Sequence, residues 1–261
     1  MKIRLLGFAL LASCAALAQV TPPSTATVFS GIDDNTTNWG NCTGTCAGGA
    51  TAYSTSYMAQ FQTTPSKDGD STKFYVDGPA WTDMLFWNKV GPHDSFSNFQ
   101  FDFWFMLDSN STTIGQAIEF DAFQFAKGVE YMFGTQCDYG AGVWDIWNQK
   151  SGHWIQTGIA CPKFTPNVWY HATWNFHRSA RKQQPMMYYD SLTLVQYDAN
   201  DNAVYNVTYT LNTGEPAGPE PSGWSDNMGV QFQLDLNGNS GASGYPSAVT
   251  EWIDQVKLTA W

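Results

Sequence analysis

The sequence predicts an all-β fold, a two-sheet antiparallel jelly-roll sandwich, and three observations predict it. Apolar or alternating runs are many and short, with turn-favouring residues between them at fairly regular intervals. Aromatic residues make up 16% of the 261-residue chain, with 12 Trp, and 23 Gly punctuate it. Long helical periodicity is nearly missing, so helices have little to build on.

The chain opens Met1-Lys2-Ile3-Arg4, continues through an apolar run from Leu5 to Ala12, and reaches Ala16-Leu17-Ala18. A basic start, a short apolar core and a small-residue cleavage site read as a secretory signal over residues 1–18. The apolar run is too short to span a bilayer. Leu11-Ala12-Ser13-Cys14 offers a second reading, a lipoprotein box that places a lipid on Cys14. Residues 19–27 form a short lead-in, and residues 28–261 suit one large β-sandwich domain. No internal repeat or second domain interrupts it. The candidate strands are Tyr53–Phe61, Ser71–Val76, Met84–Lys89, Asn98–Leu107, Gln116–Phe125, Glu130–Gln136, Val143–Asn148, His153–Thr157, Trp169–His177, Met186–Tyr197, Ala203–Leu211, Met228–Leu236 and Thr250–Thr259. The Pro- and Gly-rich stretch from Gly214 to Pro221 reads as an extended surface loop.

Beyond the signal, four cysteines remain: Cys42, Cys46, Cys137 and Cys161. An even number in an exported chain argues for disulfides. Of the three connectivities, Cys42–Cys46 as a tight local loop with Cys137–Cys161 between neighbouring strands is preferred. The formal net charge is −11, which argues against nucleic acid, anionic lipid and anionic polysaccharide as partners. No segment is long and apolar enough to act as a transmembrane span. A monomer in an extracellular or periplasmic location is expected.

The stretch Ala117-Ile118-Glu119-Phe120-Asp121-Ala122-Phe123-Gln124-Phe125 carries the functional signal. On a strand, Glu119 and Asp121 share one face, while Phe120, Ala122 and Gln124 take the other. Two carboxylates side by side in so apolar a strand are costly unless their face lines a wet cleft, a metal site or a hydrogen-bonded network. Other strands divide labour the same way. Gln100, Asp102 and Trp104 alternate with phenylalanines in Phe99–Phe105. Gln231, Gln233 and Asp235 alternate with Val230, Phe232, Leu234 and Leu236. Asp145 and Trp147 share a face, and Trp174 lies in a less regular strand. If these polar faces belong to one sheet, that sheet combines acids, amides and indoles. Such a surface suits a neutral polysaccharide or oligosaccharide: hydroxyls are held by carboxylate and amide groups, and the apolar face of a pyranose stacks on an indole.

With its E-x-D strand, its closing Glu251-Trp252-Ile253-Asp254-Gln255-Val256-Lys257-Leu258 and its Val168-Trp169-Tyr170-His171, the chain resembles the concanavalin A-like lectin/glucanase superfamily. Glu119-Phe120-Asp121-Ala122-Phe123-Gln124 resembles the E-x-D-x-x-E motif of family 16 glycoside hydrolases. The resemblance implies Glu119 as nucleophile and Asp121 as its helper. The acid/base position of the family falls on Gln124, or on Phe123 if the motif's bulge is missing, and neither delivers a proton. Asp235, Asp145, Asp102 and Glu130 are the substitute acids. The resemblance also suggests a structural Ca²⁺ between the first and last strands, held by Asp33-Asp34 with Asp254, against the plainer reading of a turn pair. No cofactor is otherwise required.

The leading expectation is therefore a secreted, lectin-like carbohydrate-binding sandwich. Its candidate sugar contacts are Asp102, Trp104, Gln124, Asp145, Trp147, Trp174, Gln231 and Gln233. The alternative is a glycoside hydrolase of β-glucan type using Glu119, Asp121 and Asp235. A structural or adhesive surface protein with no sugar site is the third reading.

Overall fold

Period-two alternation gives a strand one apolar face that must be covered, and in this chain two sheets cover each other. The computed structural model describes residues 20–43, 49, 54–179, 184–221 and 227–261. The expected signal peptide, with Cys14, lies outside the described residues. In chain order the strands begin β1 (Thr27–Phe29), β2 (Trp39–Thr43), β3 (Thr55–Gln62), β4 (Ser71–Asp77), β5 (Asp83–Gly91) and β6 (Asn98–Leu107). One helical turn, α1 (Ser111–Ile114), precedes β7 (Gly115–Ala126), β8 (Val129–Phe133), β9 (Thr135–Asp138), β10 (Val143–Asn148) and β11 (His153–Ala160). The chain closes with β12 (Tyr170–Ser179), β13 (Met186–Tyr197), β14 (Ala203–Pro216), β15 (Gly218–Pro219), β16 (Asn227–Leu236) and β17 (Ala248–Ala260).

These strands form two antiparallel sheets. The eight-stranded sheet runs β14-β13-β12-β6-β17-β4-β3, with β1 also on β17. The nine-stranded sheet runs β11-β10-β9-β7-β16-β5-β2, with β8 between β7 and β15. The expected run Glu130–Gln136 divides at Gly134: β9 pairs with the start of β7 and β8 with its end. The reading of Gly214–Pro221 as a loop is corrected. β14 continues to Pro216, and Gly218 and Pro219 pair with Glu130 and Val129. Strands β1 and β2, which carry no alternation long enough to read, also lay outside the expectation.

The core lies between the sheets. Phe99, Phe101, Phe103 and Phe105 of β6 all point inward and are essentially unexposed. Phe103 meets Phe120 of β7 at 5.0 Å between ring centroids and Phe232 of β16 at 5.2 Å, edge to face. Phe74 of β4 stacks on Phe86 of β5 at 4.3 Å. Each such ring contributes about 1.5–3 kcal/mol by burial, and each aromatic pair adds about 0.5–1.5 kcal/mol. Inward phenylalanines on β6, β7 and β16 force the alternate residues of those strands outward. Because β6 sits in one sheet while β7 and β16 sit in the other, their polar faces look in opposite directions.

The Cys137–Cys161 disulfide forms, with 5.7 Å between Cα atoms. It ties β9 to the segment just after β11. Cys42 is also disulfide-bonded; Cys46, its expected partner, lies outside the described residues.

Glu251 breaks the apolar rule without compensation. Glu251 of β17 pairs with Phe74 and Leu107, is wholly buried, and has no hydrogen-bond partner on either carboxyl oxygen. Burial pushes its pKa well up, because the charged form has lost its water. A buried polar group left unsatisfied costs about 1–3 kcal/mol. Glu251→Met is therefore expected to stabilise the fold by an amount in that range, read as a higher urea midpoint at neutral pH. The gain shrinks at acid pH, where native Glu251 keeps its proton and the unfolded chain does too. A Met variant less stable than the parent at neutral pH would contradict this account.

Candidate functional site

The outward faces of β7 and β16 meet in register, Glu119 opposite Gln233 and Asp121 opposite Gln231. The amide of Gln233 donates to Glu119 Oε1 at 2.8 Å and to Asp235 Oδ1 at 2.9 Å. The amide of Gln231 donates to Asp121 Oδ2, while the backbone N–H of Thr135 donates to Asp121 Oδ1 at 2.8 Å. Asp235 lies opposite Asp83 of β5. These side chains line a cleft of about 640 Å³, within the range of sites that hold small ligands. Glu119 and Asp121 are 5% and 1% exposed, yet both border the cleft.

The opposite wall is aromatic. Trp147 of β10 and Trp154 of β11 pack edge to face at 5.1 Å and 64°. Trp147 is oriented by a relay: its indole N–H donates to Gln149, whose amide donates to Glu130. The ring lies close over Gly134, where an added Cβ would stand 2.7 Å from the Cβ of Trp147. A side chain at position 134 would push that ring out of place.

Of the residues singled out from sequence, Glu119, Asp121, Glu130, Trp147, Gln231, Gln233 and Asp235 come together here. Asp145 stands behind the lining, held by the Gln136 amide at 2.9 Å. Four expectations are corrected. Asp102 and Trp104 lie on the outer face of the eight-stranded sheet. There Asp102 accepts from Thr173 at 2.7 Å and pairs with His171 at 3.1 Å and Lys257 at 3.0 Å, and Trp104 stacks on His171 at 4.7 Å. Trp174 points inward and packs on Phe176 and Trp144 in the core. Gln124 is wholly buried on the inner side and donates to the carbonyls of His93 at 2.6 Å and Phe96 at 3.2 Å. The reason is regular pairing: β7 matches β16 without a register shift from Ala117 to Phe125, so no bulge brings position 124 to the acid face. Position 123 is on that face and carries a phenylalanine packed against Phe125 at 5.3 Å.

Asp83, Gln136, Gln149 and Trp154 also line the cleft. Asp83 sits one residue before the apolar run that marked its strand, and Trp154 belongs to a short edge strand whose face could not be fixed from sequence.

The electrostatics of the cleft are one-sided. Burial pushes the Asp121 pKa up to about 7, against hydrogen bonds from Gln231 and Thr135 that favour its charge. Burial takes Glu130 to about 7 as well, with Gln149 opposing, and Asp83 likewise to about 7. Burial, then the neighbouring charges, raise Glu119 and Asp235 further. Glu119 and Asp235 accept from the one Gln233 amide, and Asp83 lies opposite Asp235, so each carboxyl disfavours the charge of its neighbour.

Asp33 and Asp254 occupy a second acidic place, at the β17 bulge formed where Gln255 takes φ 51°. Asp33 Oδ1 accepts the Val256 N–H at 2.8 Å, and Asp254 Oδ2 accepts from Ser66 at 2.9 Å and from the Lys67 N–H at 2.6 Å. Asp33 Oδ2, Asp34 Oδ1 and Asp254 Oδ1 are buried without a partner. Burial takes Asp33 to about 7 and Asp254 to about 6. Among the described residues no three acidic, His or Cys side chains converge as a metal set.

No protein-family model matches the chain, and no curated protein matches it. Among solved structures it is similar to the basic winged bean lectin with Tn-antigen, at 11% identity over 80% of this chain and 99% of that one, with a TM-score of 0.44. A structure of carbohydrate-binding modules from the β-sandwich superfamily aligns at 9% identity and a TM-score of 0.42, over 87% of this chain and 58% of that one. The chain thus spans less than two thirds of that structure. The family 11 carbohydrate-binding module from Clostridium thermocellum, in complex with a β-1,3-1,4-mixed-linked tetrasaccharide, aligns at 11% identity over 88% of this chain and 94% of that one, with a TM-score of 0.36.

The carboxyls set the sign of the pH response. Asp33, Asp83, Asp121 and Glu130 bind protons more tightly when native than when unfolded, so folding stability is expected to fall as pH rises from about 4 to about 7. Asp102 acts the other way: burial raises it, but His171, Thr173 and Lys257 outweigh that and hold it at about 2. Its contribution is present above the ordinary carboxylate range and is lost as pH drops towards 2. Chemical denaturation across pH checks both limbs. Asp121→Asn flattens the upper limb, and a parent stability that climbs between pH 5 and 7 would contradict the assignment.

Proposed function

We propose that the chain binds carbohydrate in the cleft of the nine-stranded sheet. The observation that carries this reading is the meeting of two indoles with a row of acid and amide groups drawn from β5, β7 and β16 in one cleft. Indole faces suit the apolar side of a pyranose, and fixed carboxyl and amide oxygens suit its hydroxyls. Acid groups on four strands disfavour anionic glycans, so the ligand class is an uncharged or positively charged polysaccharide. The chain is read as exported. The Cys137–Cys161 disulfide fits an oxidising compartment, and no helix of the described residues is long and apolar enough to cross a membrane.

Glycoside hydrolysis is the second reading, favoured by Glu119 and Asp235, both held by the Gln233 amide and both raised well above the usual carboxylate range. It requires two carboxyls flanking the scissile bond, about 5–5.5 Å apart in retaining enzymes and about 6.5–9.5 Å in inverting ones, and the acid/base position of the motif is taken by the buried Gln124. Lectin-like binding without turnover accounts for the arrangement with fewer demands.

A structural Ca²⁺ at Asp33 and Asp254 is a separate proposal, supported by their orphaned oxygens. Hard oxygen donors suit that ion, and backbone carbonyls or water would complete the shell.

Two measurements check these readings. In retention on insoluble polysaccharides and in calorimetry with their oligomers, Trp147→Ala is expected to weaken binding about tenfold or more. Glu119→Gln also weakens it, with no reducing ends released by the parent. Release that vanishes in Glu119→Gln would establish the hydrolase, and a parent retained by no polysaccharide would end the sugar reading. Separately, Ca²⁺ at neutral pH is expected to raise the unfolding midpoint, an effect missing in Asp254→Asn. A midpoint indifferent to Ca²⁺ removes the ion.

A further inference from the structure

The cleft collects negative groups without answering them. Asp83 comes from β5, Glu119 and Asp121 from β7, Glu130 from β8 and Asp235 from β16, with Asp145 of β10 behind Gln136. No Lys, Arg or His is among the described residues that line it. The chain does pair acids elsewhere: on the far sheet Asp102 has both Lys257 and His171. Among the described residues, then, the acids of the cleft meet no cationic side chain.

Its hydrogen-bonding capacity is equally lopsided. The side-chain amide donors of Gln231 and Gln233 are already directed at Asp121, Glu119 and Asp235. The N–H of Trp147 is directed at Gln149. Asp83 is 9% exposed, and its Oδ1 has no hydrogen-bond partner. A ligand that fits brings donors and positive charge, and an ammonium brings three donors on one centre. Among the described residues the acid oxygens do not converge in threes as a metal ion would need.

We propose that the cleft takes an oligosaccharide carrying free primary amines, with ammonium groups seated against Asp83, Glu119 and Asp235 and sugar rings against Trp147 and Trp154. The proposal rests on the carbohydrate reading above and narrows it to amino sugars. An N-acetyl group at the same position removes the charge, keeps a single N–H donor and adds a carbonyl acceptor and a methyl that the acceptor-rich lining suits poorly. A neutral hydroxyl gives one donor and no charge. Buried charge-assisted hydrogen bonds are the strong ones, so the amine should dominate the choice of ligand. Binding of a cation also favours the charged form of Glu119 and Asp235, whose pKa values burial and neighbouring acids raise.

The test is calorimetry on the full chain with three probes of equal length: a β-linked glucosamine hexamer, its fully N-acetylated counterpart and the corresponding glucose hexamer. The expected result is binding of the glucosamine hexamer about ten- to a hundredfold tighter than either other probe. The preference should shrink as salt is raised, and titrations in buffers of different ionisation enthalpy should show protons released. Asp83→Asn is expected to narrow the preference; if that variant does not fold, the salt series on the parent decides. Equal binding of all three probes, a preference for the N-acetylated one, or an amine preference untouched by salt overturns the amine assignment and leaves the carbohydrate reading standing. Binding of none of them overturns both.

Discussion

The structure depends on one pairing, the uninterrupted match of β7 with β16 through the middle of the nine-stranded sheet. Because the register holds from Ala117 to Phe125, the inward phenylalanines of the two strands go to the core and their outward acids and amides to the cleft. Phe120 and Phe232 reach the phenylalanines of β6, while Glu119, Asp121, Gln231 and Gln233 interlock on the other side. A slip of one residue would exchange the two sets, placing acids against phenylalanines. The energy of the core thus holds the geometry of the acids, and neither can change independently.

The second theme is desolvation. Carboxyls are rarely buried unless something compensates, and this chain uses three forms of compensation. Asp121 receives directed N–H donors on both oxygens. Asp102 receives cations. Glu119 and Asp235 share the Gln233 amide, and with Asp83 beside them their pKa values rise. The first two arrangements favour the charged form, although burial still takes Asp121 to about 7. The third favours the neutral form and leaves a buried oxygen of Asp83 without a hydrogen-bond partner. Glu251, buried among apolar residues with no compensation, shows what the lack of all three looks like.

Much of this was readable from alternation alone. The strand containing Glu119 and Asp121, the inward phenylalanines of β6 and the amide row of β16 follow from a period of two, which needs only local sequence. What period two cannot say is which sheet a strand joins. Asp102 and Trp104 show the same pattern as Gln231 and Gln233 but lie across the sandwich from them, because β6 pairs with β12 and β17. Gln124 was assigned by likeness to a bulged motif, and the regular register of β7 turns it inward. Trp174 has the aromatic character of a sugar platform, but its neighbours Phe176 and Trp144 place it in the core. Asp83 escaped because strand ends are polar by habit, and a lone acid at one looks like a turn.

The disulfide joins residues 24 positions apart and closes β9, β10 and β11 into one ring, which carries both Trp147 and Trp154. The ring's conformational freedom is curtailed before any partner arrives. A guest that stacks against those indoles meets a surface already set in place, so the entropy of ordering it falls on folding and not on association. By the same linkage, opening that crosslink would loosen the aromatic wall while leaving the acids on β7 and β16 where they are, and capture of a ligand would come to depend on the redox state of the surroundings.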